Sequence, residues 1–269
     1  MQRKIKPLKY LGQNFLQFPQ IAKKIVSLLG DIDGKNIYEI GPGMGALTEH
    51  ILNTGANLTC FDIDIRSVDY LKEKFVNAPN LNIIHSDIRN ISVDKLAAVI
   101  GNIPYNITND ILFWLLDNCK NIDKAVLTIQ KEVAKRYTAK ENTKDYGITT
   151  LALKLYGDAK ICFNIPAAAF VPAPKVVSSV LLIEFNPELY KNIDKPALIK
   201  FIRAAFSQRR KILSNSLKQY FSAHQIELAK LSQTLSNSNK HYLKCRAEQL
   251  TLEDYISFFA VVNKLIRYL

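Results

Sequence analysis

One stretch limits the fold of this chain more than any other: Lys35-Asn-Ile-Tyr-Glu-Ile-Gly-Pro-Gly-Met-Gly-Ala-Leu-Thr48. Ile37 to Ile40 reads as a short strand. Gly41, Gly43 and Gly45 then end it. Lacking a Cβ, they let the backbone approach another molecule more closely than other residues could. Residues 46–52 can begin a helix. Strand, glycine turn and helix make the first half of a βαβ unit, and a second strand, Ala56 to Phe61, follows at the distance a parallel partner needs. Leu81 to His85, Ala97 to Ile100 and Val126 to Ile129 are further apolar runs of strand length, and 159–165 with 177–185 read as a final antiparallel pair. An amphipathic helix over 21–30 carries Ile21, Ile25, Leu28 and Leu29 at helical spacing, and Ile148 to Tyr156 forms another after the loop Asp145-Tyr-Gly147. Strands and helices alternating from about 36 to 185 predict an α/β fold, a doubly wound Rossmann-like sheet with flanking helices. Ligands then belong at the carboxyl ends of the strands.

Beyond Asn186-Pro187 the pattern is helical, with Leu198, Phe201, Ile202 and Phe206 on one face. The expected division is therefore a domain over 1–186, opened by a basic arm at 1–20, and a small all-α C-terminal domain over 187–269. The polar segment Ser232 to Asn239 reads as a loop.

The strand ends carry polar residues. The glycine spacing is not the dinucleotide G-x-G-x-x-G, whose helix N-terminus holds a pyrophosphate. It is E-x-G-x-G-x-G, the pattern of an adenosylmethionine-binding loop. That ligand has no phosphate, so the glycines would admit its amino-acid and ribose parts; a glycine-rich turn with no ligand is the alternative. Asp62 lies about 20 residues past the loop, where an acidic side chain can accept from a ribose hydroxyl. Asp64 serves the loop or the next helix. Asp87, ending the third strand, can accept from an adenine amine, or can be a plain helix cap.

The fourth strand delivers Gly101-Asn102-Ile103-Pro104-Tyr105-Asn106. An amide, a proline-bent backbone and an aromatic ring in succession suit methylation of an exocyclic amine on a planar base. The lone pair of such an amine is delocalised into the ring, so it is a poor nucleophile. The Asn102 oxygen and a backbone carbonyl can accept its two N–H bonds and draw the nitrogen towards a tetrahedral form, while Tyr105 stacks on the base. A strand-ending turn is the other reading of this tetrapeptide.

On these motifs the chain resembles the bacterial small-subunit ribosomal RNA adenine dimethyltransferases, the KsgA type. Gly12-Gln-Asn-Phe-Leu16 is similar to that family's N-terminal signature, Glu39 to Gly45 to its cofactor loop, and Gly101 to Asn106 to its catalytic motif. Gln130 to Arg136, Phe170-Val-Pro-Ala-Pro-Lys-Val176, Phe206 to Lys211 and Arg246 to Tyr255 also resemble family segments. The resemblance implies that Asn14, Leu16, Gly41, Asp62, Asp87 and Asn102 hold S-adenosyl-L-methionine. It implies that Asn102, Pro104, Tyr105 and Phe170 form the catalytic set, with Phe170 facing Tyr105 across the target adenine. The implied substrate is a hairpin loop with two adjacent adenines in 16S rRNA of the small subunit, each base flipped out of its stack and methylated twice. The family usually has Glu where this chain has Asp62. Rival readings are a large-subunit rRNA methyltransferase of the antibiotic-resistance type, a ribosome-assembly factor whose methylation is secondary, and an amino-methyltransferase acting on DNA or protein.

Charge is consistent with a polyanionic partner. The net charge is +12. Residues 1–10 hold Arg3, Lys4, Lys6 and Lys9 with no acid, and 187–269 hold 14 basic against 6 acidic side chains, while 11–186 are balanced. The excess thus lies outside the cofactor domain, as expected if an RNA is gripped away from the chemistry. Arg209, Arg210 and Lys211 form the densest cluster; with Arg203 before and Lys218 after, phosphate contact is favoured over a solvated helix face. Cys60, Cys119, Cys162 and Cys245 are scattered without metal-ligand spacing, which predicts reduced, buried thiols and no metal site. No apolar run approaches the ~20 residues of a membrane span, and the N-terminus lacks the apolar core of a signal peptide. The expectation is a cytoplasmic, monomeric enzyme.

Overall fold

The computed structural model describes residues 5–237 and 241–267. The chain forms two compact units: residues 1–135 with 156–187, and residues 136–155 with 188–269. Strands of the first unit are β1 (Phe15–Leu16), β2 (Asn36–Ile40), β3 (Asn57–Asp62), β4 (Leu81–His85), β5 (Ala97–Asn102), β6 (Ile122–Gln130), β7 (Gly157–Ile165), β8 (Phe170–Val171) and β9 (Ser178–Phe185). Seven of them form one sheet in the order β4-β3-β2-β5-β6-β9-β7. The first five are mutually parallel, and β9 runs antiparallel to both β6 and β7.

This order explains the apolar runs. Central parallel strands are covered on both faces and read as continuous hydrophobic stretches. Ala97 to Ile100 in β5 and Ala125 to Ile129 in β6 are all buried. The edge strand β7 instead exposes Asp158 and Lys160, charges that discourage further pairing. Helix α1 (Pro19–Ser27) begins on a proline, which has no N–H to leave unbonded at a first helical position. It buries Ala22, Ile25 and Val26 in a core with Ile37, Leu58, Cys60, Ile100, Val126 and Val180. Helices α2 (Thr48–Leu52), α3 (Ile65–Lys74) and α4 (Thr108–Asp117) lie in the crossovers. α3 is capped by Asp64, whose carboxylate accepts from the Arg66 N–H. β1 pairs antiparallel with β8, Leu16 opposite Phe170. The N-terminal segment is thereby tied to the chain just before β9.

α5 (Lys131–Tyr137) leads out of the first unit, and α6 (Ile148–Tyr156) leads back to it. The second unit therefore contains residues 136–155, which the sequence places with the sheet. The reason is Tyr146: it is fully buried, and its hydroxyl donates to the Leu250 carbonyl at 2.9 Å. Helical periodicity shows that a face is buried but not in which core. The unit continues through α7 (Lys195–Ala205), α8 (Leu213–Ser216), α9 (Lys218–Ala223), α10 (Leu228–Asn237) and α11 (Leu252–Arg267). Its centre is aromatic, with the Phe201 ring 5.2 Å from Phe258 and 5.3 Å from Tyr220.

Two expectations need correction here. Residues 232–237 are helical, not a loop, because Leu231 and Leu235 sit four apart and are buried; residues 238 and 239 lie outside the described residues. The basic cluster at 209–211 does not lie on a continuous helix. α7 ends at Ala205 and Arg209 to Lys211 occupy the following turn. Cys60 and Cys119 are buried as expected, whereas Cys162 and Cys245 are partly exposed.

Candidate active site

A cavity of about 620 Å³ opens at the carboxyl ends of the first unit's strands. Asn14, Leu16, Gly41, Asp62, Asp87, Asn102, Pro104, Tyr105 and Phe170 all line it. Residues spread from position 14 to position 170 thus meet in one place: Gly41, Asp62, Asp87 and Asn102 end or follow strands of the seven-stranded sheet, while Asn14, Leu16 and Phe170 lie in or beside the β1–β8 pair. The volume is in the range of small-molecule sites.

The glycine loop forms one wall. Gly41 has φ +62°, and a Cβ built there would meet nothing within 4 Å. The backbone is bare towards open space, as close approach of a ligand requires. Gly43 also has positive φ, and its N–H donates to Asp62 Oδ2 at 3.3 Å. Asp62 Oδ1 accepts from the Asp64 N–H at 2.9 Å. Each Asp62 oxygen thus bonds one backbone donor and keeps a lone pair for a hydroxyl. Burial raises the Asp62 pKa, and the backbone N–H groups of Asp64, Gly43 and Ile63 oppose that rise.

Asp87 is both a cap and a cavity residue. Its Oδ1 accepts from the Arg89 N–H at 3.0 Å, and the Arg89 guanidinium grips both oxygens, Nη2 at 2.6 Å from Oδ2. This pairing lowers the Asp87 pKa. Arg89 Nη1 also donates to Asp110 at 2.9 Å. An amine reaching Asp87 would share the carboxylate with Arg89.

Asn102 ends β5, one residue beyond Gly101, where a Cβ would lie 2.7 Å from the Ile40 carbonyl. Only glycine fits there, so the strand can carry Asn102 to the cavity. The Asn102 amide bonds the Asn14 carbonyl at 2.7 Å. A carbonyl accepts only, so the bonding atom is the amide nitrogen. The amide is thereby oriented, and Oδ1 has no hydrogen bond among the described residues. After Pro104, the Tyr105 hydroxyl and Ser178 Oγ are 2.8 Å apart, which pins the ring against β9. Burial raises the Tyr105 pKa. Phe170 is 2% exposed and belongs to the hydrophobic core as well as the cavity wall. It is a packed wall, more enclosed than the open stacking face that the sequence suggests.

Three contributions were assigned no role from the sequence. Glu39 is buried beneath the glycine loop and accepts from the Thr48 hydroxyl at 2.7 Å. Burial raises its pKa to about 7, partly offset by hydrogen bonds from Thr48 and Cys60. Its position as the first letter of the glycine motif was the available signal. Gln13 donates to Asp64 Oδ2 at 2.8 Å and accepts from the Leu8 N–H at 2.9 Å, while Arg66 donates to the Lys6 carbonyl at 3.2 Å. These bonds hold the N-terminal segment beside the glycine loop. Thr128, one strand beyond Asn102, has no motif to mark it.

In the second unit, the basic triplet divides. Arg209 donates to the Thr143 carbonyl at 2.9 Å and lies 3.6 Å from Glu248, so it ties 136–155 to its own unit. Arg210 and Lys211 are exposed. Lys6 is exposed, while Arg3 and Lys4 lie outside the described residues. Among the described residues no cluster of side chains could hold a metal ion, and no helix is long and apolar enough to cross a membrane.

A parallel sheet with one reversed strand beside its edge, and a glycine-loop cavity at its carboxyl end, define an adenosylmethionine-dependent methyltransferase of the Rossmann-like class. Residues 6–258 match the family described as Ribosomal RNA adenine dimethylase. The chain is 36% identical to the Ribosomal RNA small subunit methyltransferase A of Mycoplasma mobile, over 95% of this chain and 98% of that protein. It is 38% identical to the protein of the same name from Cytophaga hutchinsonii, over 97% and 98%. Among solved structures it is similar to a dimethyladenosine transferase from Plasmodium falciparum, with a TM-score of 0.80, 22% identity and coverage of 93% of this chain and 98% of that one. The 23S rRNA methyltransferase ErmE matches with a TM-score of 0.71, 21% identity and coverage of 93% and 100%, a likeness of fold. The chain belongs to the ribosomal RNA adenine dimethylase family.

Proposed function

We propose that this chain dimethylates the N6 amines of two adjacent adenosines in a hairpin loop near the 3′ end of 16S rRNA. Its substrate is the small ribosomal subunit in the cytoplasm, and the modification contributes to subunit biogenesis. The observation that carries the chemistry is the Asn102 amide. It is oriented by the Asn14 carbonyl and leaves an acceptor at the wall of a cavity shared with Tyr105. The small-subunit names of the M. mobile and C. hutchinsonii relatives favour this substrate over the large subunit.

Strand order suggests how the cavity is divided. Gly41 and Asp87 follow β2 and β4 and Asp62 ends β3, on one side of β5; Thr128 and Ser178 belong to β6 and β9, on the other. Asn102 stands between. S-adenosyl-L-methionine fits the first half: a bare glycine backbone, a carboxylate with lone pairs left for ribose hydroxyls, and Asp87 for an adenine amine. Asn14 and Leu16 on the N-terminal segment complete that half. When bound it supplies a methyl group already activated by a sulfonium. The protein's task is then alignment. Asn102 Oδ1 and a backbone carbonyl accept the two N6 hydrogens and turn the nitrogen lone pair towards the cofactor half. Tyr105, fixed by Ser178, offers its ring to the flipped base, with Pro104 setting the turn and Phe170 closing the wall. No side chain need act as a strong base, since an alkylated amine loses its proton readily to solvent. Arg210 and Lys211 contact phosphate; Arg209 acts mainly by holding their turn in place.

The test is to incubate the protein with labelled adenosylmethionine and either isolated small or isolated large subunits, then map the label. Dimethyladenosine at adjacent positions of 16S rRNA is expected. Label confined to 23S rRNA would refute the reading.

A further inference from the structure

Thr128 presents a buried polar group with no partner. Thr128 belongs to the wall of the cavity, the residue is 1% exposed, and its buried Oγ1 has no hydrogen bond among the described residues. A buried hydroxyl without a partner is costly, and native structures rarely keep one. The backbone around it is satisfied: the Thr128 carbonyl accepts from the Ile103 N–H at 3.0 Å, which secures the start of the catalytic turn. The unspent capacity is in the side chain alone.

Register places that hydroxyl. Thr128 is the direct partner of Asn102 across the parallel pair β5–β6, and of Val180 across β6–β9. Side chains two apart on a strand share a face. Val126, Ile100 and Val180 belong to one core cluster. Thr128 and Asn102, each two residues further on, therefore point to that same face. Neighbouring strands lie about 4.8 Å apart, so the hydroxyl is beside the Asn102 amide, on the side away from the glycine loop. Ser178, which fixes Tyr105, lies on the same face of β9, two residues from Val180.

We infer that Thr128 Oγ1 is a base-recognition group: it donates to a ring nitrogen of the target adenine adjacent to the N6 amine. This rests on the proposed function above. The chemistry is complementary. Asn102 offers an acceptor to N6, which is a donor. The adenine ring nitrogens on either side of N6, N1 and N7, are acceptors and need a donor. A hydroxyl can rotate its proton to meet either. Two contacts one strand apart fix the base in its plane, where Asn102 alone would leave it free to pivot about the amine. The group left unbonded in the free protein is thereby satisfied when the base enters.

The experiment compares wild type, Thr128→Val and Thr128→Ser on small-subunit particles carrying adenosine, 1-deazaadenosine or 7-deazaadenosine at the target. Melting temperature and adenosylmethionine affinity are measured alongside. Thr128→Val keeps the shape and removes the hydroxyl. It should leave cofactor affinity unchanged and leave the melting temperature unchanged or higher, because the orphan is gone. Its kcat/KM on adenosine should fall about 5- to 10-fold, the worth of one hydrogen bond, and Thr128→Ser should restore most of it. On whichever deaza analogue lacks the partner nitrogen, valine and wild type should perform alike. Equal kcat/KM for Val and wild type on adenosine would overturn the inference. So would the same loss on both analogues, or a loss of cofactor affinity in place of RNA turnover. Failure of wild type to methylate any subunit would instead strike the proposed function.

Discussion

Glu39→Gln offers a sharp test of how the glycine loop is supported. The Glu39 side chain is 1% exposed, and Oε2 takes both its contacts, the Thr48 hydroxyl at 2.7 Å and the Cys60 thiol at 3.5 Å. Burial dominates and lifts its pKa from 4.5 to about 7; the nearby Asp62 charge adds a little to the rise. At about 1.4 kcal/mol per tenfold change in acidity, the charged form is disfavoured by ~3 kcal/mol in the folded state. The unfolded chain releases this proton near 4.5 and the folded chain near 7. Between those values the folded state holds more protons, so its stability falls as pH rises. Below about 4.5 the contribution is fully present, and above about 7 it is lost. Glutamine keeps an oxygen for Thr48 and does not titrate. Urea unfolding of both proteins without cofactor, from about pH 4.5 to pH 8, should show wild type losing ~3 kcal/mol relative to the variant, most steeply between 5 and 7. Parallel stability curves across that range would refute the account, because they would mean that Glu39 ionises in the folded protein as easily as in water.

Four further outcomes are expected. Asn102→Ala should lower kcat by on the order of a hundredfold or more, as loss of a transition-state hydrogen-bonding group does; calorimetry should show a smaller loss of adenosylmethionine affinity, since the Asn14 carbonyl is released, and near-normal turnover would remove Asn102 from the chemistry. Tyr105→Phe keeps the ring and loses only the Ser178 bond, so it should retain most turnover, whereas Tyr105→Ala should cost roughly 1–3 kcal/mol of base stacking; equal rates for the two variants would argue against stacking. Asp62→Ala should raise the Kd for adenosylmethionine about tenfold, in line with a hydrogen bond to a charged group, and Asp62→Glu should bind near normally; unchanged affinity in Asp62→Ala would assign the ribose to other groups. Arg210→Ala with Lys211→Ala should flatten the salt dependence of RNA binding by roughly two contacts, while Arg209→Ala should mainly lower folding stability, by under ~1 kcal/mol for so exposed a pair. The reverse pattern would return Arg209 to the RNA surface.

What the sequence determined by itself is what depends on local pattern. Strand-length apolar runs, a glycine turn and polar residues at strand ends specify a Rossmann-like sheet and most of its cavity lining. Each of those signals is written within about twenty residues, so Gly41, Asp62, Asp87 and Asn102 were legible along with their strands. The Gly101 to Tyr105 turn was legible for the same reason: the apolar run ends at Gly101-Asn102, and Pro104 bends the chain wherever it stands. The tertiary structure decided whatever depends on which core a residue joins and which partner a polar group meets. Helical spacing in 148–156 shows an apolar face, but tertiary bonds such as those from Tyr146 to Leu250 and from Arg209 to Thr143 assign residues 136–155 to the second unit. A run of three cations reads as one surface, but a turn after α7 faces Arg209 inward to Thr143 and leaves its two neighbours exposed. Asp87 was recognised as an acceptor without the arginine that grips it. Thr128 lies inside an apolar strand, and nothing in its neighbours marks it. Its meaning comes from lying opposite Asn102, 26 residues away in sequence. Pairing across a sheet is non-local, so the chemistry it assembles becomes visible only in the folded chain.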